Sequence, residues 1–199
     1  MKKFFKHNKC AIPLLFLLAY GVPMIYLFTN YSFNIGFLSR MLGLTAFLNV
    51  LLQVMLGSFR DFFKEIYHPV KVFRFHNYLG VATLIIASIH VIIRGLIDNN
   101  LLSALLFNNS ISNNLGAAAF YIMFITVGTS DLKYFFNVNY NNKLWRIIHV
   151  FNYALFPIIF LHALNGVTLQ NVINYYLFIG YMIVILLSGA YRVYDKVIK

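Results

Sequence analysis

The sequence is poor in cysteine and in acidic residues. Cys10 is the only cysteine, and five residues are Asp or Glu against sixteen Lys or Arg. A single cysteine excludes an intramolecular disulfide and a thiolate metal cluster. Charged residues make up 11% of the chain, whereas 61% of the residues are hydrophobic. This composition argues against an ordinary soluble domain and predicts a protein embedded in the lipid bilayer.

Six apolar segments follow one another along the 199 residues. Each is long enough to cross a hydrocarbon core of about 30 Å as a helix, the fourth only just. The segments are 11–29, 35–58, 76–97, 115–129, 145–165 and 175–193. The sequence therefore predicts an all-α membrane protein, a six-transmembrane-helix bundle that forms one domain over residues 1–199. No internal repeat or Gly/Ser linker divides it.

Basic residues are unevenly distributed between the connections. Only Arg40 and Arg94, of the sixteen Lys and Arg residues, lie on one side of the predicted bundle. By the positive-inside rule both termini are then cytoplasmic, as in a multi-pass protein of a bacterial inner membrane. The net charge of +11 is thus a topology signal, and no nucleic-acid partner is expected.

Two apolar segments carry a histidine near each end. His76 and His90 are fourteen positions apart, and His149 and His162 are thirteen apart. With the predicted topology, His76 and His149 form an inner pair and His90 and His162 an outer pair, about 21 Å apart along an ideal helix. Two facing imidazoles can be the axial ligands of a haem iron. The spacing therefore predicts an inner and an outer haem, which would carry electrons across the bilayer.

A stripe of small residues lies between the histidines of the third segment. Gly80, Thr83 and Ala87 share a helical face with His76 and His90, because fourteen residues nearly complete four turns. Small residues there leave room for a flat macrocycle, so they are candidate cofactor-binding residues. The alternative is that they only allow close packing of helices.

The fifth segment is less regular. Thirteen residues turn a straight helix well away from its starting face, so His149 and His162 do not align ideally. Pro157 lies between them and permits a kink. The rotation that would align the two histidines does not follow from the sequence.

Arg40 and Arg94 are the basic residues at the outer level. Haem propionates are anionic, so these two side chains are candidate cofactor-binding residues. They could equally extend to the outer lipid headgroups.

These residues resemble the ferric reductase-like transmembrane domain, shared by ferric reductases, NADPH oxidases and a haem-binding subunit of bacterial methionine-sulfoxide reductase. The family pattern pairs a His-x13-His helix with a His-x12-His helix. "HNYLG" at 76–80, "TSDL" at 129–132 and "LWRIIHVFNY" at 144–153 are similar to family segments. The resemblance covers about residues 36–190. It implies six helices and two haem b groups, with iron ligands His76 and His149 for the inner haem and His90 and His162 for the outer one.

Full-length reductases of this family append flavin and nicotinamide domains, which are not expected here. No G-x-G-x-x-G motif occurs. We therefore expect an oxidoreductase component whose electrons come from a flavin reductase or a membrane quinol, with FMN or FAD bound or supplied by a partner. The expected acceptor is ferric iron, oxygen or a periplasmic protein.

Two alternatives remain open at this point. The methionine-sulfoxide reductase subunits usually have arginine where this chain has His76, which favours two haems here. A histidine-dependent transition-metal transporter would need acidic or thiolate partners inside the membrane. The acidic residues lie in predicted loops or segment ends: Asp61, Glu65, Asp98, Asp131 and Asp195.

Overall fold

The computed structural model describes residues 11–108, 110–135, 142–165 and 172–197, and the regular structure in these ranges is α-helical. The helices are α1 (Ala11–Asn30), α2 (Ile35–Ser58), α3 (Arg60–Ile66), α4 (Pro69–Ile97), α5 (Leu101–Leu105), α6 (Ile111–Phe135), α7 (Asn142–Val150), α8 (Asn152–Asn165) and α9 (Val172–Val197).

All six predicted apolar segments are helical, which confirms the all-α fold. Four stretches have the length and composition of a membrane span: Ile35–Ser58, Pro69–Ile97, Ile111–Ser130 and Ile147–Asn165. Shorter apolar helices cover Phe16–Asn30 and Phe178–Ala190. The chain is therefore an all-helical protein with four candidate spans, whereas the count of six and the side of the termini stay predictions. The terminal residues 1–10 and 198–199 lie outside the described ranges.

The third predicted segment begins earlier than expected. Helix α4 starts at Pro69, seven positions before His76, because proline suits the first turn of a helix, where no amide donor is needed. Lys71 and Arg74 suggested a loop, but both are exposed on the first turns of the helix. The helix continues without a break to Ile97, so it carries both of its histidines.

The fifth predicted segment is interrupted at Phe151. Helix α7 ends at Val150 and α8 begins at Asn152. Pro157 lies inside α8, which continues through it. The interruption therefore lies six positions before Pro157, and a kink at the proline stays a prediction.

Short hydrogen bonds around Phe151 explain what the interruption does. Its amide donates to the carbonyl of Ile148 (3.1 Å), and its carbonyl accepts from Ala154 (3.0 Å). These are 3₁₀-type hydrogen bonds, which join residues three apart. A 3₁₀-helix turns by about 120° per residue, against about 100° in an α-helix. The carbonyl of Phe151 also accepts an α-helical bond from Leu155 at 3.0 Å, so the overwinding is local. Since thirteen α-helical residues stop short of a whole number of turns, it makes up a small part of the missing rotation between His149 and His162.

Two helix pairs and an aromatic cluster build the core. Helix α2 packs against α4, and α6 packs against α8. The ring of Phe47 in α2 lies 4.8 Å from that of Phe156 in α8 and 4.4 Å from that of Phe178 in α9. All three rings are buried, so α2 is held against the elements that carry the histidines.

The turn after α4 is tight. A Cβ at Gly95 would lie 2.7 Å from Cα of Leu101, so only glycine allows α5 to approach so closely. Asn99 takes the left-handed conformation, with φ of 52°. This turn fixes the end of α4 beyond His90.

Candidate functional site

The four histidines of the two helical segments lie in two pairs. His76 and His90 are on α4, His149 is in the last turn of α7, and His162 is on α8. All four side chains are partly buried. Fourteen residues of continuous α-helix separate the two levels by about 21 Å.

The imidazoles of the inner pair face each other at close range. The ring centroids of His76 and His149 are 6.0 Å apart, with 61° between the ring planes. Two imidazoles that bind one metal ion through bonds of about 2 Å have ring centroids about 6 Å apart. The inner pair therefore has the separation that two axial ligands of one ion require.

A cavity of about 1110 Å³ opens beside the inner pair. Its volume slightly exceeds the range of roughly 300–1,000 Å³ that ligand sites usually occupy. Its walls include His76 and His149 together with the aromatic rings of Trp145 and Tyr153. The cavity is therefore large enough for a macrocycle next to the two imidazoles.

Neighbouring side chains surround the imidazole of His149. The indole of Trp145 stacks on it, with ring centroids 5.0 Å apart and 21° between the planes. The hydroxyl of Ser130 and the amide nitrogen of Asn152 each lie 3.4 Å from its Nδ1. The indole NH also donates to Ser130 Oγ at 3.3 Å. These side chains restrict the rotation of the ring.

The outer pair has shorter hydrogen bonds to the main chain. Nδ1 of His90 lies 2.8 Å from the carbonyl oxygen of Ser39, and Nδ1 of His162 lies 2.7 Å from that of Ser112. A carbonyl only accepts, so each imidazole donates its Nδ1 proton. In a neutral ring this leaves the lone pair of Nε2 free to bind a metal.

The predicted small stripe on α4 faces other helices. Gly80, Thr83 and Ala87 are buried. The amide of Gln53 on α2 donates to the hydroxyl of Thr83 at 2.9 Å, and a Cβ at Gly80 would lie 3.5 Å from Gln53 Oε1. The stripe therefore allows α2 and α4 to pack closely, and its contact with a cofactor stays a prediction.

Both predicted outer cations have partners within the protein. The guanidinium of Arg40 lies over the ring of Tyr31, 4.2 Å from its centroid. Arg94 forms an ion pair with Asp98 at 3.1 Å. Arg94 follows His90 by four residues on α4, so the two lie on one helical face. Their binding of propionates stays a prediction.

Sequence reasoning missed the main-chain partners of the outer pair. Ser39 and Ser112 each begin the pattern Ser-x-x-Leu-Gly, in "SRMLG" and "SNNLG". The two patterns are 73 residues apart (112 − 39), nearly the 72 that separate His90 from His162 (162 − 90). A five-residue pattern with two variable positions does not stand out in a sequence, although this matching spacing could have revealed it.

These features define a multi-pass helical membrane protein with two levels of paired histidines. The family model described as "Ferric reductase like transmembrane component" matches residues 42–161, more than half of the chain. The protein belongs to this family. No curated protein and no solved structure matches the chain. Membership in the family supports a role in electron transfer within a membrane.

Proposed function

We propose that the protein is a transmembrane electron carrier with two haem b groups, one held by His76 and His149 and one by His90 and His162. The observation that carries the proposal is the 6.0 Å separation of the inner ring centroids beside a cavity of about 1110 Å³. The main-chain partners of the outer pair support it, since they leave both Nε2 atoms free as ligands.

The protein's own residues would hold and orient each group. His76 and His149 supply two nitrogen donors to one centre, and Trp145 fixes the plane of His149 by stacking. On this proposal the two imidazoles of each pair are the donor set. Bound haem would supply one-electron redox chemistry at each level.

A basic patch supports electron entry from the predicted cytoplasmic side. Arg60 and Lys64 of α3 line the inner cavity, and Lys71 and Arg74 are exposed on the first turns of α4. Asp61 lies 3.3 Å from Arg60 and 3.8 Å from Lys64, so it neutralises only part of this charge. An acidic flavoprotein or a flavin phosphate would be attracted to this patch, mainly through faster association.

The direction of electron transfer follows from the predicted topology. Electrons from a flavin reductase or a membrane quinol would enter at the inner level and leave at the outer one. The acceptor would be ferric iron, oxygen or a periplasmic protein. On this proposal the protein is an oxidoreductase component of a bacterial cytoplasmic membrane that depends on a separate electron donor.

An absorption spectrum of the purified protein is the first test. We expect a Soret band, a b-type α-band on reduction and a stoichiometry of two haems per chain. A colourless protein that binds zinc or copper would favour a metal transporter. One haem per chain that survives replacement of His76 would favour the arrangement of a methionine-sulfoxide reductase subunit.

Electron transfer itself can be measured in vesicles with an oxidised dye trapped inside and a flavin reductase outside, at the cytoplasmic face of the protein. Dye reduction should require all four histidines and should slow as ionic strength rises. His68→Ala is a matched control, because His68 is exposed and lies before α4. Reduction that proceeds equally well without His90 and His162 would rule out the two-haem carrier.

A further inference from the structure

Each outer histidine contacts a serine and a glycine on the helix that packs against its own. The contacting residues are Ser39 and Gly43 of α2 for His90, and Ser112 and Gly116 of α6 for His162. The serine precedes its histidine by 51 residues in the first case and by 50 in the second. We call these two serine–glycine pairs the Ser–Gly supports.

The spacing within each Ser–Gly support has a physical reason. In an α-helix, the carbonyl of one residue accepts from the amide four residues later, and the side chain of that later residue points back toward the same carbonyl. Gly43 and Gly116 occupy this later position relative to Ser39 and Ser112. Without a side chain there, the second lone pair of each serine carbonyl stays open to a neighbouring helix.

The imidazoles fill the space that the glycines leave. A Cβ at Gly43 would lie 3.0 Å from Cε1 and 3.2 Å from Nδ1 of His90. A Cβ at Gly116 would lie 2.9 Å from Cε1 and 3.0 Å from Nδ1 of His162. Carbon atoms in contact prefer a separation of about 3.5–4.0 Å, so an alanine at either position requires a shift that the hydrogen bond to the carbonyl opposes.

We propose that the two Ser–Gly supports are positioning elements that hold His90 and His162 with the proton on Nδ1 and the lone pair on Nε2. That this lone pair binds haem iron rests on the proposed function; the tautomer does not. A donated Nδ1 proton increases the electron density of the ring and makes it a stronger ligand. Each Ser–Gly support should therefore lower the reduction potential of the outer haem, since a stronger donor stabilises the oxidised iron.

The inner pair has no such support among the described residues. The groups near Nδ1 of His149 are the hydroxyl of Ser130 and the amide of Asn152, both at 3.4 Å. Neither is a main-chain carbonyl, and both distances exceed those at the outer level. The effect of the Ser–Gly supports should therefore be confined to the outer level.

The first experiment measures the tautomers directly, in protein that contains no haem. With 15N-labelled histidine, NMR should show His90 and His162 protonated at Nδ1, the signals being assigned with His90→Gln and His162→Gln. Gly43→Ala should remove this signature from His90 alone, and Gly116→Ala from His162 alone. Gly128→Ala on α6 is the matched control, because a Cβ there meets nothing within 4 Å.

The second experiment uses the protein with haem bound. Gly43→Ala and Gly116→Ala should each weaken retention of the outer haem about 10–100-fold, as loss of a partner behind a metal ligand usually does. Any outer haem that remains should show a higher reduction potential, with the inner potential unchanged. Ser39→Ala and Ser112→Ala should change little, because each keeps its carbonyl and loses only a hydroxyl at 3.3 or 3.4 Å.

The outcomes separate this inference from the proposed function. Nδ1 protonation in a protein that binds no haem would support the Ser–Gly supports and refute the haem carrier. Outer histidines protonated at Nε2 in the wild type would overturn the inference, even if the alanine variants do not fold. The inference would also be overturned if Ser39→Ala weakened retention of the outer haem as much as Gly43→Ala does.

Discussion

The outer and inner histidine pairs are held by different kinds of partner. His90 and His162 donate to main-chain carbonyls at 2.8 and 2.7 Å, and those carbonyls belong to regular helices. His149 is instead surrounded by side chains, with Trp145 stacked on it and a wide cavity beside it. A main-chain partner moves only when its helix moves, whereas side chains can change rotamer.

This difference suggests a division of roles between the levels. The outer level is built for a fixed geometry, because its partners are part of the helix backbone. The inner level adjoins a large cavity with Arg60 and Lys64 in its walls, where a donor could approach. Firmly held imidazoles at the outer level and an accessible cavity at the inner level would suit the proposed entry of electrons at the inner pair.

Replacing a histidine should have the largest effect and tests whether the levels are independent. His76→Ala or His149→Ala should remove only the inner haem, and His90→Ala or His162→Ala only the outer one, because each iron needs both imidazoles. Haem stoichiometry should fall from about two to about one per chain. Loss of both haems from any single variant would show that the levels form one site.

Removing the stacked indole should affect the inner level alone. Trp145→Leu deletes the ring over His149 and the donor to Ser130, and stacked aromatic pairs contribute about 0.5–1.5 kcal/mol. We expect loss of the inner haem to apomyoglobin to be up to roughly tenfold faster, since 1.4 kcal/mol corresponds to a factor of ten. Trp145→Phe, which keeps a stacked ring, should be milder. Equal loss from both levels would contradict the separate support of His149.

The hydrogen bond between Gln53 and Thr83 lies between the two histidine levels, so its loss should affect both haems equally. Thr83→Val removes the acceptor of Gln53 on α2, and interhelical hydrogen bonds in membranes contribute about 0.6–1.7 kcal/mol. Thermal unfolding in detergent should occur at a lower temperature, with both haems lost together. Ser88→Ala is the control, because the hydroxyl of Ser88 donates to the carbonyl of Leu84 within its own helix. A control variant as unstable as Thr83→Val would argue against this interhelical bond.

The smallest effect is expected at Pro157. The helix is interrupted at Phe151, whereas Pro157 lies within α8. Pro157→Ala should therefore keep two haems and unchanged spectra. Selective loss of the outer haem from this variant would show that a kink at Pro157 is needed to orient His162.

Much of the fold was predictable because it depends on composition. All six apolar segments are helical, since a chain in lipid must satisfy its backbone hydrogen bonds internally. The starts of helices were less predictable: α4 begins at Pro69, because charged side chains on its first turns hid the helical continuation. The hydrogen bonds of a helix join residues that are close in the chain. The hydropathy of a segment is therefore enough to predict that it is helical.

The sequence by itself determined which histidines could pair, because helical rise converts spacing into depth. Only the tertiary structure decided how they are held. It located the interruption at Phe151, brought the rings of His76 and His149 to 6.0 Å, and set the carbonyls of Ser39 and Ser112 behind the outer pair. The physical reason is that these contacts join residues far apart in the chain. Their geometry depends on how whole helices rotate and approach, which no local pattern encodes.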